Sequence, residues 1–117
     1  MDDMNNDDIM KKIEKEKDRA YNKQLEKNIF LGEYKERVIA ALTKEEVEEK
    51  GVYKEIIQAL KNKDAKNLKI SRDIEFSKIR DYVIEAEKIG INYQLVDGLS
   101  YSGNIGLVVS SDDALEN

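Results

Sequence analysis

Six side chains could bind or orient a ligand: Arg72 and Asp73, adjacent in sequence, and Asp97, Tyr101, Ser102 and Asn104, gathered in one turn-rich stretch. A guanidinium can fork onto a carboxylate or phosphate, while the carboxylates, amide and hydroxyls can fix a polar group by hydrogen bonds. Arg72 also lies just ahead of a helix start, where free backbone amides favour an anion. A plainer reading of the same region is structural, and it outweighs the first. Ser71 and Asp73 suit a helix cap, and Asp97, Gly98, Gly103 and Asn104 suit a turn.

The remaining inventory excludes more chemistry than it offers. The chain has no histidine and no cysteine. Proton transfer by imidazole, thiol nucleophiles, thiolate metal sites and disulfides are therefore unavailable, as is the usual activation of a serine. No Walker A sequence, Rossmann fingerprint or nucleophile elbow is present. No cofactor is expected, and a metal would have to be a hard cation held by carboxylates. Glu45, Glu46, Glu48 and Glu49 supply acids, but they lie too close along one helix to converge on an ion, and they repel phosphate from that helix start. Gly103-Asn104-Ile105-Gly106 has the spacing of the GXXG loop of KH domains, yet it leads into a strand and lacks basic neighbours. The arginines are Arg19, Arg37, Arg72 and Arg80, scattered along the chain. Folding could gather Lys35, Arg37, Lys66, Lys69 and Arg72 into a patch for RNA, although lysines beside glutamates more often make an ordinary wet surface.

These residues must be positioned by alternating strands and helices. Val38 to Leu42 is apolar on both alternating faces, as in a strand covered on both sides. Thr43-Lys44-Glu45-Glu46 has the form of a capping box, with Leu42 and Val47 at hydrophobic-staple spacing, so a helix starts there. Gly51 leaves two options, a short turn followed by a second piece or one long helix. Val52, Ile56, Ile57 and Leu60 form the next apolar face. Leu68 and Ile70 alternate with polar residues as a half-buried strand. Phe76, Ile79, Tyr82, Val83, Ala86 and Ile89 keep a helical period that Gly90 should close with a left-handed cap. Ile91, Tyr93 and Leu95 make a third strand, and Ile105, Leu107, Val108 and Val109 a fourth. The order is β-α-β-α-β-β, which predicts three parallel strands with right-handed crossovers and allows the last to run antiparallel. Ligands would then sit outside the carboxyl ends of the parallel strands, where Thr43, Ser71 to Asp73 and the 97 to 104 loop converge.

A length of 117 residues suits one domain. Residues 1 to 28 are dense in Asp, Glu, Lys and Asn and read as a charged helix or flexible arm, with residues 29 to 117 as an α/β domain. Charged residues make up 38% of the chain and the net charge is −5. That balance gives no general attraction to DNA or anionic lipid, and no stretch approaches the roughly 20 apolar residues that span a bilayer. The opening MDDMNNDDIMKKIEKEK lacks the apolar run of a signal peptide, so a cytosolic protein is expected.

The run from Phe30 to Lys44, FLGEYKERVIAALTK, resembles the opening signature of the YueI-like proteins, a bacterial family of unknown function. Ala86 to Tyr93 and Asn104 to Val109 resemble the family's second-helix end and final strand, so the likeness spans roughly residues 30 to 113 and leaves the charged arm outside. It implies a fold like that of the Bacillus chorismate mutase-like proteins, a mixed four-stranded sheet in the order 1-4-2-3 with strand 4 antiparallel. It supplies no activity and no catalytic residues.

In that order the doubly apolar strands 1 and 4 are neighbours. Ile39, Ala41 and Val108 should then form a patch on the face away from the helices, to be hidden by the N-terminal segment, with Phe30 and Leu31 anchoring its return, or by a second copy of the chain. The leading expectation is a non-enzymatic protein-binding or regulatory module that acts on a protein partner or on itself. A small-metabolite protein or enzyme using the strand-end loops is the alternative, and an RNA binder by analogy of fold is the third.

Overall fold

The computed structural model describes residues 29–97 and 103–115. The charged segment 1–28 and the loop positions Tyr101 and Ser102, with the expectations attached to them, lie outside the described residues. A 3-10 turn at Lys35–Arg37 leads into β1 (Val38–Thr43), α1 (Lys44–Glu48), α2 (Lys54–Leu60), β2 (Asn67–Ser71), α3 (Phe76–Ile89), β3 (Asn92–Val96) and β4 (Ile105–Ser110). The strands form one sheet in the order β1-β4-β2-β3. β4 is antiparallel to both β1 and β2, and β2 and β3 are parallel. This is the mixed sheet expected of the sequence pattern and the family resemblance together.

Local signals explain where the helices begin and end. Glu46 N–H donates to Thr43 Oγ1 at 3.2 Å, and Thr43 N–H donates to Glu46 Oε1 at 2.8 Å, which completes the capping box. Leu42 and Val47, either side of it, are both buried. Gly51, at φ 93°, separates α1 from α2, so the two-piece option is the one the chain adopts. Gly90, also at φ 93°, closes α3, with its own amide and that of Ile91 bonded to the Ala86 carbonyl at 3.0 and 2.9 Å. The expected cap of α3 by Ser71 and Asp73 is not formed. Glu75 occupies the cap position without a side-chain bond, and Ser71 Oγ instead accepts from Asp73 N–H at 3.3 Å.

One face of the sheet packs on all three helices. Leu42, Leu68, Ile70, Leu107 and Val109 meet Val47, Ile56, Leu60, Ile79, Tyr82, Val83 and Ala86 in the main core. Burying each large aliphatic side chain there is worth about 1.5–3 kcal/mol. The fully buried phenol of this core keeps its polar end satisfied, since Tyr82 Oη accepts from Tyr53 N–H at 3.1 Å.

Two register irregularities decide what reaches the opposite face. Pairing passes from Val38↔Ser110 to Ala40↔Val109, leaving Ile39 as an extra residue, and from Leu42↔Leu107 to Thr43↔Ile105, leaving Gly106 as another. A one-residue shift turns side chains to the other face. Ile39 therefore packs with the helix-side core, and Val38 takes the place expected of it beside Ala41 and Val108. A Cβ on Gly106 would lie 2.8 Å from Ile74 Cδ1 and 2.9 Å from Lys44 Cα, so the close approach of α1 requires glycine.

The far face is covered by the segment that precedes β1. Leu31, Val96 and Val108 are buried together, with Phe30, Val38, Ala41 and Ile105 packed around them. Leu31 enters in the left-handed region at φ 56°, an arrangement that costs about 1–2 kcal/mol for a residue with a Cβ and is offset here by full burial. Val108, at 0% exposure, is covered within the chain by Leu31 and its neighbours. No helix among the described residues is long and apolar enough to cross a membrane.

Candidate functional site

The carboxyl ends of β1 and β2 bring together residues far apart in sequence. Lys44 N–H donates to the Asn104 carbonyl at 2.8 Å, joining the start of α1 to the approach to β4. Asn104 Nδ2 donates to Glu45 Oε2 at 2.6 Å, and Lys44 Nζ pairs with Asp73 Oδ2 at 3.3 Å. Arg72 N–H donates to the Val96 carbonyl at 2.7 Å, tying the end of β2 to that of β3. Of the six candidate ligand residues, Arg72, Asp73, Asp97 and Asn104 thus lie at one end of the sheet, all exposed.

The chemistry of that end is mutual satisfaction. Asp73 is engaged by Lys44 and Asn104 by Glu45, two partners that the sequence presented within a capping box and, for Glu45, in a run of helix-start acids. Nothing in residue spacing could have revealed Lys44 or Glu45 as neighbours of Asp73 and Asn104, because their separation is set by the sheet order.

The perturbed groups are held away from reactivity near neutral pH. The Glu45 carboxyl lies below its usual range, first because of its own backbone amide at the helix start and then because of Asn104, so it stays ionised. The Tyr53 phenol, donating to Glu49 and partly desolvated, is pushed up to about 12. Burial likewise raises Tyr82, so both phenols stay neutral. A general acid or base needs the opposite arrangement, a proton affinity brought towards neutrality.

A cleft of about 570 Å³ opens at the other end of the sheet, between Lys63–Lys66 and the segment Ser111–Leu115. Lys63, Asp64 and Lys66 line one wall and Asp112 and Asp113 the other, and mixed charge of this kind selects neither anion nor cation. Among the described residues no group of three or more acids or histidines is arranged to hold a metal ion.

Among the described residues, the β3 side carries an open sheet edge. β3 is a terminal strand of the sheet, and its sequence, Asn-Tyr-Gln-Leu-Val, carries no charge, proline or glycine to deter another strand. The opposite edge strand, β1, carries the irregularity at Ile39, a feature that bends an edge away from flat pairing, and the charged Arg37 immediately precedes it. Above β3, α3 exposes Phe76 at 51% and Ile84 at 40%, and β3 itself exposes Tyr93 at 37%. Sequence periodicity assigned Phe76 to the buried face; its position at the first turn leaves it outside.

An α+β protein with a mixed four-stranded sheet in this order, three helices on one face and the entry segment on the other, defines the structural class. The chain belongs to the family described as "Protein of unknown function (DUF1694)", whose model matches residues 6–117 and so extends well into the charged segment that the shorter sequence likeness left outside. The "Uncharacterized protein YueI" of Bacillus subtilis is 32% identical over 90 residues, covering 77% of this chain and 68% of that protein. The crystal structure of the YueI protein from Bacillus subtilis superposes with a TM-score of 0.76 at 32% identity, over 80% of this chain and 73% of that one. These likenesses, both to the same relative, carry the family and the fold, and its name states no activity.

Proposed function

We propose that this protein is a non-enzymatic binding module of the cytosol that works by docking another protein chain, and that the docking surface is the β3 edge with the adjoining flank of α3. The observation that carries this reading is the coincidence, on one side of the molecule, of an unguarded strand edge with exposed Phe76, Ile84 and Tyr93. Edge strands in natural proteins are usually blunted, and apolar side chains beside an open edge supply the two ingredients of strand addition: backbone hydrogen bonds and side-chain contact. The charge balance of −5 suits an aqueous compartment and disfavours non-specific binding to nucleic acid or anionic lipid. The shifts of Glu45, Tyr53 and Tyr82, each away from neutrality, further favour binding over acid–base catalysis.

A photo-crosslinking amino acid placed at Ile84, with a control at exposed Gln58 on α2, tests the reading in living cells. Discrete adducts at position 84 and none at 58 are expected. The same pattern at both positions, or no adduct at 84, would set it aside.

A further inference from the structure

We infer that the partner seated on this surface is a second copy of the chain, related by a two-fold axis that joins β3 to β3 and α3 to α3. The inference rests on the docking reading above and adds the identity of the occupant.

The argument begins with the direction in which α3 presents its side chains. Tyr82 is turned towards α2, where its hydroxyl accepts from Tyr53 N–H. Ile84, two residues on, lies about 200° around the helix and so faces away from α2, over the open β3 side. Arg80, Ile84 and Glu87 have the i, i+4, i+7 spacing of a single row, and Arg80 and Glu87 are exposed while Ile84 is 40% exposed. This row is complementary to itself when reversed. With two copies of α3 antiparallel, Arg80 lies opposite the partner's Glu87, and Asp81, further towards solvent, comes near the partner's Lys88, an ammonium that also pairs with Glu85 of its own helix at 3.3 Å. The midpoints of these two pairings bracket Ile84, which meets its own copy near the axis. A row of like charges would repel itself in this arrangement; this one attracts.

The strand beneath has a matching centre. Ile84 lies five residues before the end of α3, about 7.5 Å along the helix, and Gln94 lies two residues into β3, about 7 Å along the strand. Because α3 runs back along β3, Ile84 and Gln94 stand at the same level. An antiparallel β3 pair centred on Gln94 sets amide against amide at the axis, and on the helix side it sets Tyr93 against the partner's Leu95, the aromatic–aliphatic pairing that stabilises cross-strand neighbours. One axis thus satisfies the strand register and the helix charges together, and an isologous contact closes on itself as a dimer without leaving a further edge on that side.

Sedimentation equilibrium of the full chain, with circular dichroism to verify folding, provides the test. The wild type should sediment at twice the 13.5 kDa chain mass. Arg80→Glu and Glu87→Arg should each raise the dissociation constant about tenfold or more, and the double exchange should restore it to within about threefold, because each copy again meets the opposite charge. Gln94→Lys, which guards the edge, should also dissociate the dimer. A monomeric wild type at 100-fold the concentration needed for about micromolar affinity overturns the inference, as does a dimer indifferent to all three single changes or a double exchange that restores nothing. A monomer whose position-84 crosslink joins a different protein keeps the docking reading and removes self-association. A crosslink running only to residues 1–28 of the same chain overturns both.

Discussion

Glu33 and Lys69 form an ion pair of 2.9 Å on the sheet face opposite the helices, with their side chains only 12% and 19% exposed. The pair ties the entry segment to β2, the one interior strand that carries a lysine on that face. Leu31 and Phe30 pack beside it, so a polar clamp and an apolar plug hold the same cover in place. Removing one partner strands a poorly solvated charge, and Glu33→Ala should cost about 1–3 kcal/mol. Replacing both residues by leucine should recover most of that loss. Urea midpoints for the two single changes and the double measure the coupling; strict additivity would show that the pair holds nothing.

The capping box makes a smaller, local contribution. Thr43→Ala leaves the Glu46 amide without its acceptor and should lower stability by about 0.5–2 kcal/mol with the fold intact. A denaturant midpoint unchanged within error would show that water serves the α1 start equally well.

Tyr53 predicts how the protein responds to alkali. Its phenol ionises near 12 in the folded chain, against 10 for an ordinary tyrosine, because the neutral hydroxyl donates to Glu49. Above pH 10 the unfolded chain gives up a proton that the folded chain retains, so this stabilisation is complete below pH 10 and disappears as pH rises through 12. A spectrophotometric titration should show Tyr53 and the buried Tyr82 ionising after ordinary tyrosines, and Glu49→Gln should bring Tyr53 back towards 10. An unmoved Tyr53 in that variant would contradict the assignment.

Asn104 has a signature of its own at the carboxyl end of the sheet. Asn104→Ala removes the second cause of the lowered Glu45 pKa and should raise it part of the way back, leaving the effect of the helix-start amide. Stabilisation from a lowered carboxyl pKa is present above the ordinary value of 4.5 and is lost as pH falls through the folded value, so the variant should be slightly less stable at neutral pH and lose less on acidification. Carboxyl NMR titration reads Glu45 directly. No movement there would mean that the Asn104 contact is not held in solution.

The sequence by itself determined the elements and most of their ends. Thr43 with Glu46, Gly51 and Gly90 act through bonds and dihedral angles within a few residues, so their effects are legible without knowing what lies across the fold. Period-two and period-3.6 patterns likewise named most of the helix-side core, because one face of each element must leave water, but they missed Ala59, Ala65 and Ile74 and included Phe76 and Ile89, which are exposed. Tertiary structure decided what depends on register and neighbours. The irregularities at Ile39 and Gly106 exchanged Ile39 for Val38 on the far face, a shift invisible in a run where both alternating faces are apolar. Lys44 met Asp73, and Glu45 met Asn104, only because β4 inserts between β1 and β2. The same insertion leaves β3 at an edge, where a strand short of charge becomes a surface that another chain can extend, since the hydrogen-bonding groups on its outer side have no strand beside them among the described residues.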